Sequence, residues 1–221
     1  FDKDYKDADR IYRLVNVWAP PGMTEKWVAQ QPPMLDAINS EMPEIEVATR
    51  IVPYGRMLAG ENLFRRSDHV VNNYEEGFVY ADASFLQVFD VEMIYGDVKT
   101  ALTTPRSILL SKSKADKYFP DEDPVGKTMI FNDNNDAPYK IDGVIEDLAE
   151  NTHFEFDFVI TLLGEEVWPG EHTNWCCTNF DSYIKRNKEA KEASIIERLY
   201  NVRDTHIANR IERDEPAGLD M

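Results

Sequence analysis

The pattern of apolar and polar positions in the middle of the chain predicts short strands that alternate with short helices. Val79 to Ala81 and Ile108 to Leu110 are runs of β-forming residues, and each predicts a strand. Apolar residues recur at helical spacing in Ser84 to Asp90 and in Lys112 to Phe119. Each of these segments predicts a helix that follows a strand, so the centre of the chain is mixed in secondary structure.

Two further patterns follow the predicted helices. Thr128 to Phe131 and Tyr139 to Ile145 flank a polar loop, which predicts a β-hairpin. Phe154 to Thr161 shows the clearest period-two alternation in the chain, and such alternation is typical of a half-buried strand. The apolar side chains on the predicted core face of this strand are Phe154, Phe156, Phe158 and Ile160.

The outer parts of the chain predict strand–helix–strand units. The predicted strands are Arg10 to Trp18, Ile45 to Val52, Asp68 to Asn72 and Asn179 to Lys185. The predicted helices begin at Pro32-Pro33, ending at Pro43, and at Glu189, ending at His206. The apolar stripe predicted for the second helix contains Ala193, Ile196, Tyr200 and Ile207, widened by Ile195 and Leu199. Such units around a mixed centre predict a discontinuous domain that is interrupted by an inserted one.

An ordered series of short motifs runs through the same region. It includes Tyr80-Ala81-Asp82, Phe85-Leu86-Gln87-Val88-Phe89, Gly96-Asp97, Ser111-Lys112, Tyr118-Phe119, Asp123-Pro124-Val125-Gly126-Lys127, Gly143-Val144-Ile145 and His153-Phe154. The series resembles the extracytoplasmic domain of MacB/FtsX-type ABC transporter permeases, the MacB-like periplasmic core, in the variety common in Bacteroidetes-like bacteria. The resemblance covers roughly residues 5 to 208. One departure is Pro120, where the family pattern has Gly after the Tyr-Phe pair.

The resemblance implies an α+β fold with two lobes. A membrane-proximal, porter-like lobe is expected from residues 1–75 and 152–221. An inserted, membrane-distal lobe of mixed α/β structure, similar to the sabre-like lobe of such permeases, is expected from residues 76–151. In these permeases the domain lies between the first and second membrane helices, so both ends of this sequence are expected to continue into membrane spans.

The resemblance also implies a function on the periplasmic side of the bacterial inner membrane. The full permease would couple ATP hydrolysis in the cytoplasm to movement of this domain, for export or for mechanotransmission to a periplasmic partner. The implied partners are a cognate ABC ATPase, the membrane helices of the permease, and a periplasmic partner or an exported substrate. ATP is expected on a separate nucleotide-binding domain or subunit, and this fragment is expected to bind no cofactor and to be no enzyme.

The residues expected to matter are therefore structural. Gly96, Pro124 and Gly126 are predicted to form turns, and the Phe154, Phe156 and Phe158 face is predicted to be core.

Composition narrows the function further. The chain has 24 basic and 41 acidic residues, a net charge of −17, which repels nucleic-acid phosphates, so no nucleic-acid partner is expected. Cys176 and Cys177 are the only cysteines and are adjacent, which excludes a disulfide framework and predicts two half-buried thiols near Trp175.

The sequence offers no recognisable catalytic or metal-binding constellation. None of the histidines has a second ligand at zinc spacing: His69, His153, His172 and His206. The acidic runs Asp121-Glu122-Asp123 and Asp133 to Asp136 lack the EF-hand pattern and are predicted to be turns. Ser111 is predicted to cap a helix, and Gly126-Lys127 lacks the first glycine of a P-loop. We therefore predict no catalytic, cofactor-binding or metal-binding residue.

Two other classes of function stay open on the residues alone. An extracytoplasmic sensor domain would bind a small ligand in an apolar cleft between its lobes. A secreted hydrolase would need a cleft that contains titratable groups with strongly perturbed pKa values.

The isolated chain is expected to be a monomer, because the contacts that dimerise such permeases should lie mainly in the membrane part. Light scattering at micromolar concentration measures this, and a stable dimer would contradict the expectation.

Overall fold

The computed structural model describes residues 5–18, 21–57, 62–148 and 152–211. Its strands are β1 (Ile11–Arg13), β2 (Asn16–Trp18), β3 (Glu25–Trp27), β4 (Ala29–Gln30), β5 (Ile45–Pro53), β6 (Leu63–Arg66), β7 (Asn73–Tyr74), β8 (Phe78–Ala81), β9 (Met93–Gly96), β10 (Ser107–Ser111), β11 (Thr128–Phe131), β12 (Tyr139–Ile145), β13 (Phe158–Thr161) and β14 (Phe180–Arg186). Its α-helices are α1 (Met34–Glu41), α2 (Tyr54–Met57), α3 (Phe85–Val88), α4 (Lys112–Tyr118) and α5 (Glu192–Ile211). The predicted α+β class is confirmed.

The chain forms two compact units, and each unit is made of two separate segments of the chain. The first unit comprises Phe1–Ala8 and Val52–Val167, and the second comprises Asp9–Ile51 and Trp168–Met221. These boundaries differ from the predicted ones at 75/76 and 151/152. The difference arises because β6 pairs with β11, and β13 pairs with β8 and β10. These strand pairings place β6 and β13 in the first unit.

The first unit is built on a mixed sheet with the strand order β8-β13-β10-β12-β11-β6-β7, and β9 also pairs with β12. β8 and β13 are parallel, as are β10 and β12, whereas β13 and β10 are antiparallel. All residues of β8, β10 and β13 are buried. Central strands of this kind need apolar residues on both faces, which explains why their sequences are continuous apolar runs. The predicted β11–β12 hairpin is confirmed.

Aromatic rings fill the core of the first unit. Phe78 and Phe158 stack with ring centroids 4.4 Å apart, and Phe64 contacts both edge-on at 5.4 and 4.9 Å. Phe154 and Phe156 belong to a separate group of rings around Phe85.

The prediction of one strand from Phe154 to Thr161 is wrong. The strand begins only at Phe158, because β8 begins opposite it at Phe78, and the N–H groups of Asp157 and Phe158 both donate to the Gly77 carbonyl. Thr161, predicted on the polar face, is fully buried, and its hydroxyl donates to the Leu102 carbonyl at 2.7 Å. The three phenylalanines are nevertheless buried, as predicted.

The predicted strand from Asp68 to Asn72 is also wrong. These residues connect β6 to β7, and Val70 and Val71 are 90% and 71% exposed. Two consecutive valines favour a strand locally, but no neighbouring strand of the described structure pairs with this segment. β9 is a strand that the apolar pattern did not indicate.

The second unit contains an antiparallel sheet in which β14 lies between β1 and β5, with β4 also paired to β14. The sequence predicted one continuous strand from Arg10 to Trp18, but the structure divides this segment into β1 and β2. β2 pairs with β3 in a separate hairpin. α1 follows Pro32 and Pro33, as predicted, and α1 packs on α5. The buried core of the unit contains Leu14, Met34, Leu35, Ala37, Ile38, Met42, Ala48, Ile184, Ile195 and Val202.

The buried face of α5 differs from the predicted stripe. Ile195 and Val202 are 3% and 5% exposed, whereas Ile196 and Tyr200 are 46% and 47% exposed. The helix carries two adjacent apolar stripes, and only the packing against α1 and β14 decides which one is buried. The helix also begins at Glu192 rather than Glu189, because the preceding residues form a turn in which the Ala190 N–H donates to Asn187.

Of the two glycines that the sequence predicts to form turns, Gly126 does so, whereas Gly96 is the last residue of β9 and pairs with Gly143. Gly126 has φ +83°, and the Lys127 N–H donates to the Pro124 carbonyl at 3.0 Å, so Pro124 and Gly126 form a turn before β11. Gly96 has φ +94°, and its α-carbon faces the backbone of Asp142 and Gly143 so closely that a Cβ would overlap the Asp142 carbonyl oxygen. Any other residue at position 96 would be unfavourable in backbone conformation and would overlap the neighbouring backbone.

We expect Gly96→Ala to lower the free energy of unfolding by about 3 kcal/mol, because it adds a steric overlap to an unfavourable backbone conformation. Gly126→Ala is the matched control. It has a similar φ with no atom within 4 Å of the added methyl group, so about 1 kcal/mol is expected. Urea unfolding of both variants measures the difference, and equal losses would contradict the role of the close approach.

Candidate functional site

A buried carboxylate is the centre of a charged cluster in the first unit. Glu75 follows β7, and its side chain is 3% exposed. It accepts hydrogen bonds from Lys114 Nζ at 2.7 Å, Lys117 Nζ at 2.5 Å and the Tyr118 hydroxyl at 2.7 Å. The three donors lie on one face of α4, because residues three and four apart on a helix are neighbours. This contact fixes α4 to the segment after the edge strand β7.

The cluster continues to the start of α4. Lys114 Nζ lies 3.3 Å from Asp157 Oδ2, and the Ser111 hydroxyl donates to Asp157 Oδ1 at 3.0 Å. Ser111 is at the N-cap position, but its hydroxyl makes no capping bond, so the predicted capping role is wrong. The N–H of Ser113 instead donates to Asp147 Oδ1 at 2.9 Å. Asp147 therefore caps α4 from 34 residues away in sequence.

The electrostatics of the cluster favour a structural role. Burial raises the pKa of Glu75, but the hydrogen bonds from Lys114, Lys117 and Tyr118 outweigh it and hold the pKa below its ordinary value. Burial, followed by the hydrogen bond to Glu75, raises the pKa of Tyr118. Burial lowers the pKa of Lys114, and its carboxylate partners reverse this and raise it. None of these pKa values is shifted toward 7, as that of a general acid or base at neutral pH would be.

An open cavity of about 480 Å³ lies beside this cluster and has acidic walls. Its lining includes the carboxylates of Glu76, Asp147, Glu155 and Asp157. Asp147 and Asp157 already accept hydrogen bonds from α4 and from Ser111. Within the described ranges, no group of three or more His, Cys, Asp or Glu side chains is arranged to hold a metal ion.

The second unit has a polar cluster around Arg50, which is 8% exposed. Its Nη1 donates to the Pro32 carbonyl at 3.1 Å and lies 3.2 Å from His172 Nδ1. Its guanidinium also lies 5.2 Å from the ring centroid of Phe180. His172 is thus held by a buried cation, which disfavours a positively charged metal ion at the same position.

The other histidines and the cysteines are not brought together. His206 Nε2 lies 2.7 Å from Glu41 Oε1, and its ring stacks on Trp175 at 4.5 Å. His69 is exposed, and its backbone carbonyl accepts a hydrogen bond from Arg65. His153 packs against the neighbouring Phe154 ring. Cys176 and Cys177 are half-buried thiols, as predicted.

The acidic runs form turns and ion pairs. The Val125 N–H donates to Asp123 Oδ1 at 2.9 Å, and Glu122 binds both Arg66 and Lys127. Asp133 accepts hydrogen bonds from Arg65 at 3.3 Å and Asn72 at 2.9 Å. These carboxylate oxygens accept hydrogen bonds from donors within the same chain.

The Glu75 cluster is the feature that the sequence did not indicate. The spacing of Lys114, Lys117 and Tyr118 could have predicted a common helix face. Their partner is 39 or more residues away, and no local pattern marks Glu75 rather than Glu76 as the buried carboxylate.

No α-helix in the described part of the chain combines the length and apolar character needed to cross a membrane.

Comparisons with known proteins agree on the type of domain. A family model described as "MacB-like periplasmic core domain" matches residues 1–175. A domain of a presumed permease protein from Porphyromonas gingivalis is 25% identical, with a TM-score of 0.74 over 92% of this chain and 87% of that chain. The periplasmic region of MacB from Actinobacillus actinomycetemcomitans is 14% identical, with a TM-score of 0.56 over 80% of this chain and 74% of that chain. No curated protein gives a significant match.

We expect Glu75→Gln to lower the free energy of unfolding at pH 7 by about 2 kcal/mol, because it weakens three hydrogen bonds to a buried carboxylate. The folded-state pKa of Glu75 is lowered, so its stabilisation is complete above the ordinary value of 4.5 and is lost as the pH falls through the folded-state pKa. Chemical unfolding across this range should show the two proteins converging in acid. The control Glu76→Gln alters the exposed neighbour and should stay within about 0.5 kcal/mol of the unchanged protein. A constant difference at all pH values would contradict the assignment.

Proposed function

Because the chain belongs to the MacB-like periplasmic core domain family, we propose that it transmits ATP-driven conformational change from a MacB-like ABC transporter permease to a substrate or partner outside the membrane. The ATP would bind a separate ABC ATPase domain or subunit of the full transporter. The domain would act on the periplasmic side of the inner membrane and would need no catalytic residue of its own.

The observation that carries this proposal is the match of fold and sequence over most of the chain. The family model covers residues 1–175, and the fold of the Porphyromonas gingivalis permease domain extends over 92% of the chain.

The second unit offers a physical route for transmission. β1, near the start of the chain, pairs with β14, and α5, near its end, packs on α1. Arg198 donates to the Glu41 carbonyl at 2.6 Å and lies 3.3 Å from a Glu44 carboxylate oxygen, and His206 binds Glu41. Both elements that lead toward the chain ends are therefore fastened to one core. A displacement of either would be passed to that core rather than absorbed by a linker.

The test is a distance measurement in the full permease with its ATPase, reconstituted in lipid nanodiscs. Cys176 and Cys177 are first replaced by Ser, and spin labels are then attached at the exposed positions Asp116, in the first unit, and Glu197, in the second. We expect the distance distribution to change between the nucleotide-free and ATP-bound states.

A label pair at Asp116 and Asn134, both in the first unit, is the control and should not change. If neither pair responds to nucleotide in a transporter that hydrolyses ATP, the domain does not transmit the conformational change.

A further inference from the structure

Residues 5–8, here called the strap, are attached to the first unit, although β1, which follows them, belongs to the second. The Tyr5 ring contacts the rings of Phe89 and Phe154 edge-on, with ring centroids 5.3 and 6.4 Å apart. The Tyr5 hydroxyl lies 3.0 Å from the Thr152 hydroxyl, and the two groups share a hydrogen bond. All three of these partners belong to the first unit.

Tyr5 is the main anchor of the strap. Both of its phenylalanine partners are buried and belong to the ring group around Phe85, so Tyr5 extends an aromatic cluster of the first unit. Edge-on ring pairs are favourable beyond the apolar area that they bury. Lys6 Nζ also lies 3.0 Å from Asp90 Oδ2, but both side chains are exposed, and an exposed ion pair contributes little to stability.

A hydrogen-bonded turn connects Tyr5 to the second unit. The Ala8 N–H donates to the Tyr5 carbonyl at 3.1 Å, and Asp7 has φ +62°, a left-handed conformation that Asp adopts more readily than most residues. Arg10 is already buried in the second unit, where its Nη1 donates to Glu46 Oε2 at 2.6 Å. The chain therefore has an attachment in each unit, with only this turn and a short 3₁₀ helix between them.

The other side of the chain, formed by α5, is attached to the second unit. His206 Nε2 lies 2.7 Å from Glu41 Oε1, and the His206 ring stacks on Trp175 with centroids 4.5 Å apart. Both partners belong to the second unit. The chain before β1 and the chain after β14 thus have attachments to different units.

We propose that the strap is the point at which a displacement of the chain on the N-terminal side of Tyr5 enters the first unit, with Tyr5 as its anchoring residue. A displacement on the α5 side enters the second unit, so a relative movement of the two sides becomes a movement of one unit against the other. This inference rests on the proposed function and deepens it, because it names the residue through which the conformational change reaches the first unit.

The attachment is tested by amide nitrogen relaxation in the 221-residue chain. We expect order parameters of a rigid backbone, about 0.85, at Lys6, Asp7 and Ala8, and a fall below about 0.6 in Tyr5→Ala. Tyr5→Phe keeps the ring contacts and should stay close to the unchanged protein. Tyr74→Ala removes a tyrosine that is 63% exposed in the same unit, and this control should change nothing in the strap. Equal order parameters in Tyr5→Ala and the unchanged protein would overturn the proposal.

Transmission is tested in the full permease with its ATPase in nanodiscs, with the spin labels at Asp116 and Glu197. We expect Tyr5→Ala to reduce the nucleotide-dependent distance change about twofold or more while ATP hydrolysis continues, because the displacement no longer enters the first unit at this point. A purely structural role of Tyr5 would lower the thermal midpoint and leave the distance change intact, which would overturn the proposal.

The outcomes separate this inference from the proposed function. A full distance change in Tyr5→Ala overturns the inference alone, whereas no distance change in the permease with an unaltered strap overturns both. Lys6→Glu places a like charge against Asp90 and replaces Tyr5→Ala if that variant does not assemble. It should give a smaller loss in the same direction, and no loss in either measurement would overturn the proposal.

Discussion

The first unit depends on the burial of β13 between β8 and β10. Every residue of these strands is buried, and the stacked rings of Phe78 and Phe158 join the two parallel members. β13 pairs with β8 in a register that joins Val159 to Val79, which is 80 positions earlier, so the core closes only when the intervening chain has returned. The first unit is thus held by contacts that are distant in sequence. Each such contact costs conformational entropy of the chain when it forms, and the burial of apolar surface by all of them together offsets this cost.

The Glu75 cluster fixes α4 to this sheet. A buried carboxylate is costly unless its oxygens are satisfied, and here two ammonium groups and a phenol satisfy them. The result is an ionised group whose pKa is held down by the same contacts that position the helix. The chemistry of the cluster is therefore that of a structural link between α4 and the segment after β7.

In the second unit, one apolar stripe of α5 is buried in the core and an adjacent stripe is exposed. α5 buries Ile195 and Val202 against α1 and leaves Ile196 and Tyr200 exposed.

The sequence by itself determined the local elements whose signals are strong. These include the apolar runs of β8 and β10, the hairpin of β11 and β12, the start of α1 after two prolines, and the turn at Pro124 and Gly126. It also indicated the family, because an ordered series of short motifs is specific even though each motif is weak. Only the tertiary structure decided where β13 begins, which stripe of α5 is buried, that Asp147 rather than Ser111 caps α4, and that Glu75 is buried. Each of these depends on a partner that is far away in sequence, and local periodicity contains no information about such partners.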